Sequence, residues 1–481
     1  MTALEFDRFL NTSPNLLVAP AGYGKTHTIA KSVDVLQKAG EENSVLVLTH
    51  TNAGIASIRE KIKKESVRLR NVTICTIAGF LQKIVHSLSK VPLQQGNDSN
   101  DFYSKLYASA LELFQENNSI LKIAIESSYD HIFVDEFQDC NKQQYEIVKI
   151  ISRWDIRVHL LLDPLQTIFN FEVDHPDYLA FENRCRTSNP NKVFQLDIPY
   201  RWRNVNSPLE QYVPQWRTTI QDALNQGAKS IDLRRLPGVM YFSGTFADAL
   251  NKINTYLRKA GNVLVLHSHY KKNNIQARGK ICLGSGYHLR MMESIDHSDF
   301  YDVAAAIDLS IQNNDSVEAI VYSILQKSGA STNNLEKWIK PNHLVSKQSD
   351  EDKALVSILS VAVSRQPKEQ AIIDSIGVVT KKIGLPIQRV EFLSDILSAI
   401  SSTMASGHTV LEEVSRKRNL ARIQGRKLYG KVIGTTLLTK GLEADTVILI
   451  KPSELFNDDD GLKHLYVALT RAVKEIVLID Y

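Results

Sequence analysis

The sequence has little cysteine. Its four residues, Cys75, Cys140, Cys185 and Cys282, are widely scattered. They fit neither a zinc-ligand spacing nor a disulfide framework, so they are expected to be reduced thiols. No apolar run reaches the roughly 18–20 residues that a membrane helix needs. Residues 1–10 carry Glu5 and Asp7 and lack a basic start followed by an apolar stretch, so a secretory signal is not expected. Together these absences point to a cytoplasmic protein without a membrane partner. No internal repeat or long low-complexity tract is present. An excess of one charge is also missing. Lys plus Arg number 57 against 53 Asp plus Glu, and the net charge of +4 does not by itself specify a nucleic-acid partner.

What is present is the composition of a globular chain. Of 481 residues, 43% are apolar and 23% charged, enough for a sizeable core and about two to four domains. Basic residues cluster locally. Residues 416–431 hold seven basic side chains and no acidic one, and residues 59–70 hold six basic and two acidic. Such stretches suit phosphate backbones, or else form solvated helix faces.

Short apolar runs recur through the first 200 residues, at 15–19, 45–49, 72–76, 131–135, 158–163 and 192–196. Leucine-rich and β-branched, they read as buried parallel strands alternating with helices, the pattern of an open α/β sheet. Residues 86–125 interrupt that rhythm and read as a small helical insertion. A second α/β region starts near Gln195, with strands expected at 262–267, 430–436, 445–450 and 475–480. A long helical span over about 290–425 lies inside it.

The chemistry begins at residues 19–26: Ala19, Pro20, Ala21, Gly22, Tyr23, Gly24, Lys25 and Thr26. They follow a strand and precede a helix expected to begin near His27, the setting of a P-loop. Glycines let the backbone turn N–H groups toward phosphate oxygens, and the helix N-terminus adds a positive dipole. Lys25 is suited to the β- and γ-phosphates of ATP, and Thr26 to Mg²⁺. Phe133–Asp139, FVDEFQD, ends a strand in adjacent carboxylates. Asp135 is expected to hold Mg²⁺ and Glu136 to orient and deprotonate the attacking water.

These motifs resemble those of the UvrD/Rep/PcrA branch of superfamily 1 DNA helicases, and further matches follow in order. LTHTNAGIASIREKI (48–62) is similar to the TFTNKAA segment, TIAGF (76–80) to TxHGF, and LLLDPLQTIF (160–169) to GDPxQSIY. YRWRN (200–204) stands in place of NYRS. TTLLTKGLEADTVIL (435–449) is similar to THxxKGLEF, and LYVALTRA (465–472) to LYVAxTRA. The resemblance spans residues 18–472 apart from the inserts. It implies two RecA-like P-loop domains with parallel sheets, each carrying a mainly helical insertion. The first would comprise residues 1–85 and 126–195, with 86–125 as its reduced insert. The second would comprise 196–289 and 426–481, with 290–425 as its insert.

The resemblance implies roles residue by residue. Gln166 would sense the γ-phosphate, Arg201 and Arg471 would be arginine fingers, and Glu443 would contact the ribose. DNA would be met by His50, Thr51, Asn52, Thr76, Phe169 and Phe171, the last two as stacking platforms for single-stranded bases or else as core residues. The implied activity is ATP-driven movement on single-stranded or tailed DNA, 3′-to-5′. Departures from the pattern are concrete. No glutamine precedes Gln37 to read adenine, Ala78 and Leu437 replace histidines, and Glu172 replaces an arginine. With two small inserts, these departures raise a second reading: a switch or loader with little unwinding of its own, working with a nuclease or ATPase-nuclease partner. Compact proteins of this kind occur in anti-phage systems such as Gabija-type pairs. Repair and recombination are equally open.

Overall fold

The computed structural model describes residues 3–39, 44–65, 71–88, 99–116, 119–168, 175–259, 261–268, 274–286, 289–293, 298–330, 350–382, 384–424 and 430–481. The chain divides into two compact units. The first contains residues 1–239, 423–426 and 455–475; the second contains 240–422, 427–454 and 476–481.

The first unit is built on six parallel strands: β1 (Asn15–Val18), β2 (Val45–Thr49), β3 (Val72–Thr76), β4 (His131–Val134), β5 (Arg157–Leu162) and β6 (Val193–Gln195). Their order is β3-β2-β4-β5-β1-β6. The inner strands β1, β2 and β4 are buried at every position, which is why they read as continuous apolar runs rather than alternating ones. The helix Ser99–Gln115 falls within the stretch expected as an insertion, and the helix Ser119–Ser128 begins in it and runs three residues past its expected end. They bury Leu106, Ala110, Phe114, Leu121 and Ile125 in the same core as Leu46, Ile132 and Leu160 of the strands.

The second unit carries β7 (Met240–Ser243), β8 (Val263–His267), β9 (Arg290–Met291), β10 (Lys431–Thr435), β11 (Ala444–Ile450) and most of β12 (Ala472–Asp480), ordered β7-β12-β11-β8-β10-β9. The pairs β12–β7, β11–β8, β10–β8 and β10–β9 are parallel. β7 and β9, at the two edges, were not expected from the sequence. The helices between Ser298 and Gln424 gather Phe300, Ile324, Ile372, Phe392, Ile396 and Ile400 into a hydrophobic core of their own. Among the described residues, no helix is long and apolar enough to cross a membrane.

Candidate active site

Three groups of interest stand at the carboxyl ends of neighbouring parallel strands in the first unit, where open α/β sheets form their crevices. The P-loop follows β1, Asp135 follows β4 and Asp163 follows β5. The helix after the P-loop begins at Lys25 itself, two residues earlier than expected, so Lys25 and Thr26 form its first turn.

The P-loop geometry depends on glycine. Gly22 has φ +76°, and a β-carbon there would lie 2.8 Å from the Trp202 ring and 2.9 Å from Cβ of Arg201. Gly24 has φ +101° and faces the ring of Tyr200 at 3.4 Å. The short helix Tyr200–Arg203 is therefore seated on the loop, and the Arg201 N–H donates to the Gly22 carbonyl at 3.0 Å. Trp202 is fully buried, and its indole N–H donates to the Ala472 carbonyl at 2.8 Å. Tyr200 is 39% exposed, leaving an aromatic face open beside the loop.

Lys25 is buried and its Nζ lies 2.9 Å from Oε1 of Glu136. Burial works against its charge, but Glu136, Asp163 and Asp135 outweigh it and hold its pKa above the ordinary lysine value. Glu136 has φ +52°, a left-handed conformation that non-glycine residues adopt at a cost and that concentrates at functional sites. Its carboxylate also accepts from the Gln138 side-chain amide. Burial, then the neighbouring Glu136, push the Asp135 carboxyl up to about 7.

Asp163, with no exposed surface, is the hub that sequence reasoning missed. It accepts from the P-loop amide of Ala21 at 3.0 Å, from Gln166 Nε2 at 2.9 Å, from Arg217 Nη1 at 2.6 Å and from the Tyr466 hydroxyl at 3.2 Å. Burial alone would raise its pKa. Arg217 and then Lys25 reverse that and hold it below the usual carboxylate range. The Asp163 N–H donates to Gln138 Oε1 at 3.0 Å, tying this strand end to the Glu136 turn. On its other side, Gln166 Oε1 accepts from Arg471 Nη2 at 3.2 Å. Arg471 is buried and also donates to the Val467 carbonyl, while Arg201 Nη1 donates to the Thr470 carbonyl at 2.6 Å. Gln166, Arg201 and Arg471 thus belong to the same compact unit as the P-loop. The signals available for Asp163 and Tyr466 were their places inside the LLLDPLQTIF and LYVALTRA segments. Arg217, on the helix Val213–Asn225, carries no motif.

The residues expected to meet DNA divide. β2 and β3 are neighbours, and Thr49 is registered with Thr76, so His50, Thr51, Asn52 and Thr76 come to one end of the sheet. Thr51 caps the helix Asn52–Lys64 by accepting from the Gly54 N–H, and Thr76 Oγ1 accepts from the Gly79 N–H. His50 Nε2 lies 3.6 Å from the Cys140 sulfur. Asn52, Arg59 and Lys63 line a shallow recess along that helix. Phe169 and Phe171, with Glu172, lie outside the described residues. Glu443 is exposed ahead of β11 in the second unit.

The basic stretch 416–431 is not uniformly a solvated edge. Arg418 is 3% exposed, lies 3.3 Å from the centre of the Phe300 ring and pairs with Asp395. Arg416 pairs with Glu413 at 2.7 Å and Lys417 with Asp395 at 3.8 Å. Residues 425–429 lie outside the described set.

Comparison with known proteins finds partial matches. Residues 5–172 match the AAA domain family model AAA_19. The chain is 25% identical over 201 residues to R568, a protein of Acanthamoeba polyphaga mimivirus named for ATP-dependent DNA helicase activity, covering 40% of this chain and 27% of that protein. It is 28% identical over 130 residues to the exonuclease/helicase protein RexA of Lactococcus lactis subsp. cremoris, covering 26% of this chain and 11% of that one. It is 36% identical over 75 residues to a probable DNA helicase II homologue of Mycoplasma capricolum, covering 16% and 10%. The chain thus spans only 27%, 11% and 10% of the lengths of these relatives.

Proposed function

We propose that this chain, a superfamily 1 DNA helicase-like protein, is a DNA-stimulated ATPase that translocates on single strands with 3′-to-5′ polarity. The observation that carries the reading is the convergence of Lys25, Asp135, Glu136, Asp163, Gln166 and Arg471 around one P-loop, joined by the hydrogen bonds from Ala21 to Asp163 to Gln166 to Arg471. The names of the relatives, two helicases and one exonuclease/helicase, lend it support.

The chain's own residues can be given roles in the hydrolytic chemistry. Lys25 neutralises Glu136 at 2.9 Å. When ATP enters, its β- and γ-phosphates compete for that cation, and Glu136 is released to accept a proton from water. Gln166 and the guanidinium groups of Arg201 and Arg471 act on charge developing at the γ-phosphate. Arginine suits this because its planar fork binds phosphoryl oxygens without losing charge. The exposed ring of Tyr200 beside Gly24 offers the base a stacking face in place of the missing upstream glutamine.

Mg²⁺ fits the donor set. Asp135 is a buried acid whose charge the protein leaves poorly compensated, and Thr26 lies in the first helical turn, next in sequence to Lys25, whose charge bears on Asp135. Among the described residues no cluster of three or more metal-binding side chains forms a cage. Mg²⁺ is typically held by one or two protein oxygens plus substrate phosphates. Asp135 and Thr26 would hold the ion, which would supply charge neutralisation at the phosphates.

A second reading is favoured by the reduced first insert expected from the sequence and by the relative whose name joins an exonuclease to a helicase. In it the chain is an ATP-driven switch or loader for a nuclease partner. One experiment separates the two. ATP hydrolysis is measured with and without single-stranded DNA, alongside unwinding of a forked duplex. DNA-stimulated hydrolysis with unwinding supports the translocating helicase, and stimulation without unwinding supports the switch. Hydrolysis indifferent to DNA overturns both.

A further inference from the structure

We infer that Arg217 is a positioning residue for ATP hydrolysis, acting through Asp163 to hold the P-loop amide of Ala21 and the side chain of Gln166 in register. The inference deepens the ATPase reading and rests on it.

The case starts from the cost of Asp163. Its carboxylate has no exposed surface. An ionised carboxylate in such a place is several kcal/mol unfavourable unless it is paired and fully hydrogen-bonded. Lys25 is the other cation bearing on Asp163, but it is engaged with Glu136 at 2.9 Å, and phosphates would draw on its charge further. Arg217 is the direct partner. Its Nη1 donates to Oδ1 of Asp163 at 2.6 Å and to the Tyr466 hydroxyl at 3.1 Å, and that hydroxyl donates onward to Oδ2 at 3.2 Å. Arginine and tyrosine together brace both carboxylate oxygens.

The bracing matters because of what Oδ2 carries. An ionised carboxylate only accepts, and besides the Tyr466 hydroxyl two N–H groups donate to Oδ2. One is the Ala21 amide inside the P-loop. The other is Nε2 of Gln166. Fixing Nε2 on Asp163 turns Oε1 the other way, where it meets Nη2 of Arg471. The orientation of the Gln166 amide, and through it one contact of Arg471, therefore follows from Asp163 staying ionised and fixed. A neutral Asp163 carries a hydroxyl on one oxygen, and one of its acceptor positions is lost. Arg217 makes none of these contacts itself, so its effect is on geometry at the phosphate site.

The test uses the full chain, with ATP turnover, affinity for a fluorescent non-hydrolysable ATP analogue, and melting temperature measured together. Arg217→Gln keeps an N–H donor but removes the charge. It is expected to lower kcat by roughly 10–100-fold, as for a misplaced catalytic group, while analogue affinity stays within about threefold. Arg217→Lys keeps the charge but loses the fork, and its kcat should lie between the two. In an Asp163→Asn background, Arg217→Gln should cost little more. The assignment is overturned by a folded Arg217→Gln protein with normal kcat, by a kcat loss matched by an equal affinity loss, or by additive losses in the double variant. Should Arg217→Gln not fold, Arg217→Lys decides alone: lowered kcat at unchanged affinity supports the assignment, and normal kcat overturns it. A wild-type protein that hydrolyses no ATP would instead overturn the ATPase reading on which this one rests.

Discussion

At the scale of single residues, the proposed hydrolysis divides between groups that would hold ATP and groups that would act on it. Lys25→Ala removes the P-loop cation and leaves Glu136 without its 2.9 Å partner. Turnover should vanish and nucleotide affinity fall, as seen by titration with a fluorescent analogue. Glu136→Gln should still bind ATP, since an amide keeps the shape, but hydrolysis should drop by at least about 10²-fold because an amide cannot take the proton from water. A Glu136→Gln protein with wild-type turnover would remove Glu136 from the role of base. The two arginines are predicted to behave differently in stability and alike in rate. Arg201 is partly exposed, whereas Arg471 is buried and hydrogen-bonded to Val467, Gln166 and Thr470. Each change to alanine should lower turnover by roughly 10³-fold, the range for arginine fingers. Only Arg471→Ala should also lower the melting temperature. Near-normal turnover in either protein would place that arginine away from the γ-phosphate. These residues could be singled out in the sequence because they sit in ordered motifs at fixed spacings. Arg217 and Trp202 were not, because their roles arise from contacts with residues 54 and 270 positions away, which no local pattern records.

Elements were legible where they carried an apolar run of strand length, even where, as in β3, only the central residue is buried. β2, β3 and the inner part of β5 were readable as apolar runs of strand length. β7 is exposed at both ends and β9 has only two residues, so neither leaves a hydrophobic run to read. The buried strands also carry a polar feature with a measurable consequence. Across β1, β5 and β4, Asn15 lies 2.9 Å from Nδ1 of His159, and His159 Nε2 lies 3.0 Å from Nδ1 of His131. Burial keeps both imidazoles neutral, pulling the His131 pKa from 6.5 down to about 4 and His159 well below its usual value. The unfolded chain therefore binds protons that the folded chain refuses. Stability is complete above about pH 6.5 and is lost as pH falls toward 4, with His131 alone costing roughly 2 kcal/mol at pH 5. Thermal melts between pH 7.5 and 4.5 should show a falling midpoint that steepens below pH 6.5. His131→Phe should flatten part of that slope. A midpoint independent of pH across this window would show that the imidazoles are hydrated rather than sealed in the sheet.

For the whole molecule, the question is how much duplex the chain can open unaided. Apart from Glu443, the residues proposed to act on ATP are gathered in the first unit, while positions proposed to face DNA depart from the resembled pattern. Ala78 and Leu437 stand where the resembled helicases carry histidines. Of the first helical stretch, the described helices Ser99–Gln115 and Ser119–Ser128 bury their apolar faces in the sheet's own core, which limits what they can offer a duplex. The basic stretch beginning at Arg416 gives up part of its charge to Glu413 and Asp395, and Arg418 is buried beneath it. We therefore predict that the isolated chain hydrolyses ATP on single-stranded DNA but unwinds long duplexes poorly, and that a nuclease partner supplies the rest. The assay is a 3′-tailed duplex long enough to need many catalytic cycles, with the purified chain alone. Rapid, complete unwinding would sink the prediction and make the chain a self-sufficient helicase. If unwinding is weak, the basic stretch decides what its surface is for. Charge reversal must be confined to Arg416 and Lys417, because a glutamate at Arg418 would place a second acid in the buried pocket beside Phe300 and Asp395. A folded double variant with weakened DNA binding makes the stretch a DNA-guiding edge. Intact DNA binding with loss of the partner makes it a docking surface. A variant that loses neither shows that Glu413 and Asp395 have already neutralised these two side chains.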